Sequence, residues 1–196
     1  MPQSSPTFVE EAMDAARGVW ALVLGRRDAA QYFDFSPRGL IGSFIALVLG
    51  IAIQAFGPHP IDAAAPPVSA LSVVIVSALV LAGQYGIILL VLRQLGRTDS
   101  YVPFLVAQNW ATLFQSVITI AIIALLGPPM TVDSQGYAQL TNGSFFYVGL
   151  SIAMLVVWFN LSRHIMTLRP LHIAVFLATL LGTALVLPVF LGAILP

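Results

Sequence analysis

Five long apolar stretches run through this chain, and the basic residues fall on one side of them only. All eight basic residues are arginines. Four precede the first stretch, two lie between the second and third, and two lie between the fourth and fifth. Cytoplasmic loops of membrane proteins are enriched in basic residues, so the pattern predicts five spans with a cytoplasmic N-terminus. The arginines are Arg17, Arg26, Arg27, Arg38, Arg93, Arg97, Arg163 and Arg169.

Composition points to the same class of protein. Hydrophobic residues make up 59% of the chain and charged residues 8%, whereas soluble domains carry about 25% charged residues. The net charge is zero, so we predict no nucleic-acid partner. The absence of cysteine excludes disulfides and thiolate sites, and the absence of lysine, replaced throughout by arginine, suggests a bacterial genome. We predict a bacterial inner-membrane protein with a periplasmic C-terminus.

The predicted fold class is all-α, a polytopic membrane helical bundle. Residues 1–38 form a cytoplasmic N-terminal segment, and residues 39–196 form the transmembrane domain. Turn residues between the stretches include Pro128-Pro129 and Asn142-Gly143. Pro188 lies inside the last span, where it is expected to kink the helix. The predicted spans are 39–57, 68–92, 101–127, 145–167 and 170–195.

The N-terminal segment contains a predicted amphipathic helix. Thr7 and Glu10 have the spacing of a capping box, which marks a helix start. Apolar residues that include Phe8, Met13 and Trp20 fall on one arc, and we identify these three as candidate interfacial contacts. The opposite face is net acidic, unlike helices that grip anionic lipid. The helix is therefore expected to lie at the interface or under its own bundle, with a protein partner as the alternative.

Small residues recur at four-residue spacing in three of the spans. Small faces let helix backbones approach closely in lipid, so we interpret these ladders as internal seams of the bundle, with a dimer face as the alternative. The ladders are Gly42, Ala46 and Gly50; Ala78, Ala82 and Gly86; and Ala174, Ala178 and Gly182.

Uncharged polar residues occupy similar depths in four spans. Counting from the cytoplasmic ends at 1.5 Å per residue places four of them roughly 12–14 Å deep. They predict one polar layer, which is either interhelical hydrogen bonding or a cavity that admits water, a headgroup or a small solute from the cytoplasmic side. The candidate layer consists of Gln84, Gln108, Asn109, Gln115, Asn160 and Thr179.

The chain resembles the Yip1 domain family. The resemblance rests on five spans, an N-terminal cytoplasmic helix and a length of 196 residues. It also rests on the run Phe35-Ser36-Pro37-Arg38-Gly39 entering the first span and on Ala107-Gln108-Asn109-Trp110 in the third. The resemblance implies a non-enzymatic membrane protein that works through partners or bilayer organisation.

The predicted function is that of an integral membrane structural or interaction protein, which organises the membrane or binds a partner protein. The expected partners are the lipid bilayer and either another membrane protein or a second copy of this chain. No nucleophile–base–metal set is visible, so we predict no enzyme activity, no metal and no cofactor. The alternative is a small-solute permease or an accessory subunit of a transport complex.

Overall fold

A computed structural model describes residues 7–57, 70–132 and 137–194. Five of its helices are long and apolar enough to cross a membrane, so the predicted all-α membrane bundle is confirmed. The two connections 58–69 and 133–136 lie outside the described residues. The helices are α1 (Phe8–Val23), α2 (Pro37–Phe56), α3 (Ala70–Gln94), α4 (Tyr101–Leu126), α5 (Asn142–Asn160) and α6 (Pro170–Ile194).

Helix α1 is bounded by local hydrogen bonds at both ends. The Glu10 N–H donates to Thr7 Oγ1 at 3.3 Å, and the Thr7 N–H donates to Glu10 Oε2 at 2.6 Å, which is the predicted capping box. At the other end Gly25 has a φ of +68°. The Arg26 N–H donates to the Ala21 carbonyl, and the Gly25 N–H donates to the Leu22 carbonyl. This Schellman motif stops the helix.

Helices α2 and α4 pack closely along the first small-residue ladder. Ser36 caps α2, because its Oγ accepts from the Gly39 N–H at 3.3 Å. A Cβ added at Gly50 would lie 3.2 Å from Leu113 Cα and 3.3 Å from Ser116 Oγ. Ala46 is fully buried. The predicted internal seam is therefore present in α2.

The other two ladders face outward. Their alanines are exposed, and a Cβ added at Gly86 or Gly182 would meet no atom within 4 Å. Helices α3 and α6 pack on each other through different positions, since a Cβ at Gly83 would lie 3.4 Å from Leu187. The prediction of internal seams is wrong for these two spans because four-residue spacing does not say which face of a helix meets its neighbour.

Arg97 joins the two turns at the arginine-rich end of the bundle. We define this end by Arg93 in the last turn of α3, Arg97 between α3 and α4, and Arg163 and Arg169 between α5 and α6. Helix α5 continues as one π turn, Leu161–Ile165, and Thr167 follows with a φ of +49°. The Arg97 guanidinium donates to the Met166 and Thr167 carbonyls at 2.5 and 2.9 Å. Its rigid fork of donors holds both acceptors together.

The connection between α4 and α5 contains a short antiparallel hairpin, β1 (Met130–Val132) and β2 (Ala138–Leu140). Thr141 then caps α5, and its Oγ1 accepts from the Gly143 N–H at 3.1 Å. The predicted turn at Asn142-Gly143 is therefore wrong. These residues form the first turn of α5, because the Thr141 side chain caps the helix and accepts from a free N–H group of that turn.

Aromatic side chains connect α3, α4 and α6 in the core. Phe104 is fully buried and contacts Tyr85 and Phe176 edge to face, with ring centroids 6.1 and 5.3 Å apart. This geometry stabilises aromatic pairs beyond their buried area. The three rings fill the bundle toward its arginine-rich end.

We expect Gly50→Leu to lower the free energy of unfolding by about 1–3 kcal/mol, because the new side chain would collide with the backbone of α4. Gly86→Leu serves as the matched control and should change that free energy by less than about 0.5 kcal/mol. Unfolding in detergent micelles, followed by circular dichroism, measures both. Equal losses in the two variants would contradict the assignment of the seam.

Candidate functional site

The predicted polar layer is divided into separate groups. Asn109 is fully buried and connects three helices. Its Oδ1 accepts from the Tyr85 hydroxyl at 2.5 Å, and its Nδ2 donates to Ser43 Oγ at 3.1 Å. Ser43 in turn donates to the Leu40 carbonyl. Asn109 therefore has the structural role of interhelical hydrogen bonding.

Asn160 and Thr179 also lie apart from the others. Asn160 Nδ2 donates to the Leu22 carbonyl at 2.8 Å, so this amide fastens the end of α1 to the end of α5. The Thr179 hydroxyl donates to the Val175 carbonyl one turn back in its own helix. The predicted depth of both residues stays a prediction, and the sequence could not identify these partners.

The three remaining members, Gln84, Gln108 and Gln115, line one cavity of about 330 Å³ between the spans. We call it the amide cavity. Sequence reasoning missed Gln54 and Ser77, because it counted depth from one end only and both residues lie toward the other end. The cavity is lined by Ile51, Gln54, Val76, Ser77, Val80, Leu81, Gln84, Gln108, Thr112, Gln115, Trp158, Ala184 and Pro188.

Hydrogen bonds fix part of the cavity wall. The Trp158 indole N–H donates to Gln108 Oε1 at 2.9 Å, and Gln54 Nε2 donates to Ser116 Oγ at 2.7 Å. Gln84 Nε2 reaches the Leu180 carbonyl only at 3.4 Å. Gln115 is half-buried, and its amide makes no hydrogen bond within residues 7–57, 70–132 and 137–194.

The amide cavity extends along the bundle. At one end of its wall are Gln108 in the first turns of α4 and Trp158 near the end of α5; toward the other end are Gln54 near the last residue of α2 and Pro188 in the last two turns of α6. Access to the cavity from the arginine side stays a prediction. Helix α6 continues through Pro188 to Ile194, and the missing N–H frees the carbonyl of Ala184.

Helix α1 presents three different surfaces. Small residues pack against the rest of the chain, and charged residues form a second surface. The third is an apolar stripe exposed to its surroundings, with Met13 51% and Trp20 62% exposed. The buried residues are Ala15, Gly18, Ala21 and Leu22; the charged ones are Glu10, Asp14 and Arg17; the stripe is Val9, Met13, Ala16, Trp20 and Leu24.

The predicted apolar arc is therefore divided between the bundle and the exterior. Phe8 turns toward α4, where its ring lies 5.5 Å from the ring of Trp110, whereas Met13 and Trp20 belong to the stripe. The stripe is opposite to the packed surface, and the charged surface lies beside it, as the 100° rotation per residue requires. Sequence periodicity identified the apolar residues but not this division.

A second cavity of about 310 Å³ lies between α1, α4 and α5. Its walls are apolar except for Gln115, which also lines the amide cavity. The side chain of Gln115 is therefore shared by the two cavities. The apolar cavity is lined by Ala16, Val19, Trp20, Val23, Ala111, Phe114, Gln115, Ile118, Leu150, Ala153, Met154 and Val157.

Glu11 of α1 faces α2 and not the charged surface. Its Oε1 is buried without a hydrogen-bond partner among the described residues, and a Cβ at Gly42 would lie 2.5 Å from this atom. Burial raises the pKa of Glu11, the charge of Asp34 raises it further, and Arg38 acts in the opposite direction. The carboxyl group of Glu11 fits at this position because Gly42 has no side chain.

No group of three or more His, Cys, Asp or Glu residues that could hold a metal occurs among the residues that the structure describes. No protein-family model matches the chain, and no curated protein or solved structure matches it. The resemblance to the Yip1 domain family stays a prediction. The chain is an integral membrane protein with five apolar helices.

We expect Asn109→Leu to destabilise the bundle by about 1–3 kcal/mol, because it leaves the buried Tyr85 hydroxyl without its acceptor. The double variant with Tyr85→Phe should lose less than the sum of the two single variants, since it removes both partners. Thr179→Val is the control, because the Thr179 hydroxyl donates to a carbonyl of its own helix. This variant should leave the free energy of unfolding close to that of the wild type. If the two single variants lose free energy of unfolding additively in the double variant, the direct hydrogen bond between Tyr85 and Asn109 is contradicted.

Proposed function

We propose that this protein holds helix α1 in the cytoplasmic leaflet, where α1 acts as a wedge that organises the curvature of the membrane. The observation that carries this proposal is the exposed apolar stripe of α1, opposite to the surface that packs on the bundle. Apolar residues exposed on one side of a docked helix, beside a charged surface, suit the boundary between acyl chains and headgroups.

The contacts of α1 support a fixed position in the leaflet. Its start packs against α4 through Phe8 and Trp110, and its end is fastened to Asn160. A free amphipathic helix must fold and find its depth on binding, which costs conformational entropy. Here the bundle holds α1 already folded, so the apolar stripe enters lipid at a set depth on one side of the bilayer only.

The charges on α1 favour insertion by apolar contact. Arg17 pairs with Asp14 at 2.7 Å, with both side chains exposed, and Glu10 adds a further negative charge. Exposed pairs of this kind contribute little energy, and an acidic helix is not attracted to anionic lipid. We therefore propose that α1 is attached to the leaflet mainly by the apolar side chains of Val9, Met13, Trp20 and Leu24.

The orientation forms part of the proposal. Arginines concentrate where α1 meets the bundle and at the turns beside it, which suits the cytoplasmic side of a bacterial inner membrane. Helix α1 would then lie in the inner leaflet, with the hairpin β1–β2 in the periplasm.

Vesicle sorting tests the wedge. Purified protein reconstituted in vesicles of graded diameter should be enriched in the most curved vesicles. The double variant Met13→Ser and Trp20→Ser should lose that enrichment, because the stripe no longer separates headgroups. Phe145→Ser and Val148→Ser remove comparably exposed apolar surface at the other end of the bundle and should keep it. Even distribution of the wild type, or equal behaviour of both double variants, would overturn the proposal.

Labelling of introduced cysteines tests the orientation. The chain has no cysteine, so a single one can be placed at either end without background. In intact cells, a membrane-impermeant maleimide should label Tyr137→Cys and leave Thr98→Cys unlabelled until the cells are opened. Both positions are exposed. Labelling of both from the same side would contradict the five-span orientation.

A further inference from the structure

We propose that the amide cavity binds a small, neutral, hydroxyl-bearing molecule, either a free polyol or the uncharged hydroxylated headgroup of a lipid. This inference is independent of the role of α1. It rests on the wall of the cavity, which combines four glutamine side chains with apolar residues and lies within the spans.

The charge of the wall selects a neutral ligand. None of the residues that line the cavity in the described part of the chain has an ionisable side chain. An ion transferred from water into such a site would lose its hydration without gaining a partner of opposite charge, which is strongly unfavourable. A phosphate, a carboxylate or an ammonium group is therefore a poor occupant.

The hydrogen-bonding groups of the wall call for a ligand that both donates and accepts. The Gln115 amide has no partner among the described residues and carries two N–H groups and a carbonyl. Gln84 is 7% exposed, and its only hydrogen bond among the described residues is the long one to Leu180. A hydroxyl group can donate to an amide carbonyl and accept from an amide N–H, so it can serve both kinds of atom at once.

Pro188 adds an acceptor that ordinary helix geometry would not provide. Because proline has no N–H, the Ala184 carbonyl lacks its usual donor one turn ahead. Both residues belong to the cavity wall. In a membrane-spanning segment a freed carbonyl needs another donor from protein, water or ligand, and a hydroxyl group in the cavity would supply it.

The size and the apolar part of the wall limit the ligand further. At about 30 Å³ for each water molecule, 330 Å³ corresponds to roughly ten waters, which is the range from glycerol to a hexose. The indole N–H of Trp158 is occupied by Gln108, so its ring offers an apolar surface beside Leu81 and Ile51. The carbon-bound hydrogens of a polyol can pack against that surface.

Saturation-transfer NMR on the full chain in nanodiscs tests the proposal and suits weak ligands. With free glycerol or glucose, we expect transfer from protein to ligand. Glycerol 3-phosphate, which adds charge to the same carbon skeleton, should show none. In a second arm, nanodiscs that contain dioleoylglycerol or a monoglucosyl diacylglycerol are compared with nanodiscs of phosphatidylcholine alone. Suppression of transfer to the free polyol would identify the lipid headgroup as the preferred source.

Substitutions in the wall provide the second measurement. Gln84→Leu and Gln115→Leu should each weaken binding by about tenfold through loss of a hydrogen bond. Gln94→Leu, an exposed glutamine near the arginine-rich end, is the matched control and should bind like the wild type. Circular dichroism confirms that each variant is folded.

Three outcomes would overturn the proposal. The first is transfer to glycerol 3-phosphate as strong as to glycerol, which would show nonspecific contact. The second is equal binding by the two cavity variants and the Gln94 control. The third is the absence of transfer to every ligand in both arms with folded wild-type protein, which would mean that the cavity holds water only. The comparison of charged with neutral ligand requires no variant and stands even if a substitution prevents folding.

Discussion

Lipid offers no hydrogen bonds, so the polar groups of this chain at membrane depth depend on partners in the protein, in enclosed water or in a bound ligand. Asn109 connects α2, α3 and α4 through Ser43 and Tyr85, and Asn160 attaches α1 to α5. At the arginine-rich end, Arg97 connects the turn between α3 and α4 to the turn between α5 and α6. Because these bonds run between helices that are distant in the chain, they fix which helices are neighbours, and the apolar packing follows from that arrangement.

Four of the five spans form two closely packed pairs, α2 with α4 and α3 with α6, joined by the aromatic cluster around Phe104, and α5 packs against α4 and α1. Aromatic rings fill part of the space between the pairs toward the arginine-rich end, and glutamine side chains line the amide cavity. The interior thus combines an aromatic cluster with a cavity whose wall carries amide groups. Pro188 adds to the hydrogen-bonding capacity of this wall because it frees a backbone carbonyl in the same region.

Helix α1 and the amide cavity are close neighbours in the structure. Gln115 lines both the amide cavity and the apolar cavity beneath α1. The residues of α1 that line the apolar cavity are therefore one side chain away from the amide cavity, and they include Ala16 and Trp20 of the apolar stripe. The Glu11 carboxyl group contacts α2 at Gly42, where a larger residue would exclude it.

The sequence by itself determined the five spans and the start of α1, because hydropathy and a capping box depend on residues within a few turns of one another. Only the tertiary structure decided which way each residue faces. Asn160 bonds a carbonyl 138 positions away, two of three small-residue ladders point outward, and the predicted layer became an interhelical cluster, a helix attachment and a cavity. Depth can be counted along a helix at 1.5 Å per residue, but its rotation is set by neighbours that no local pattern identifies.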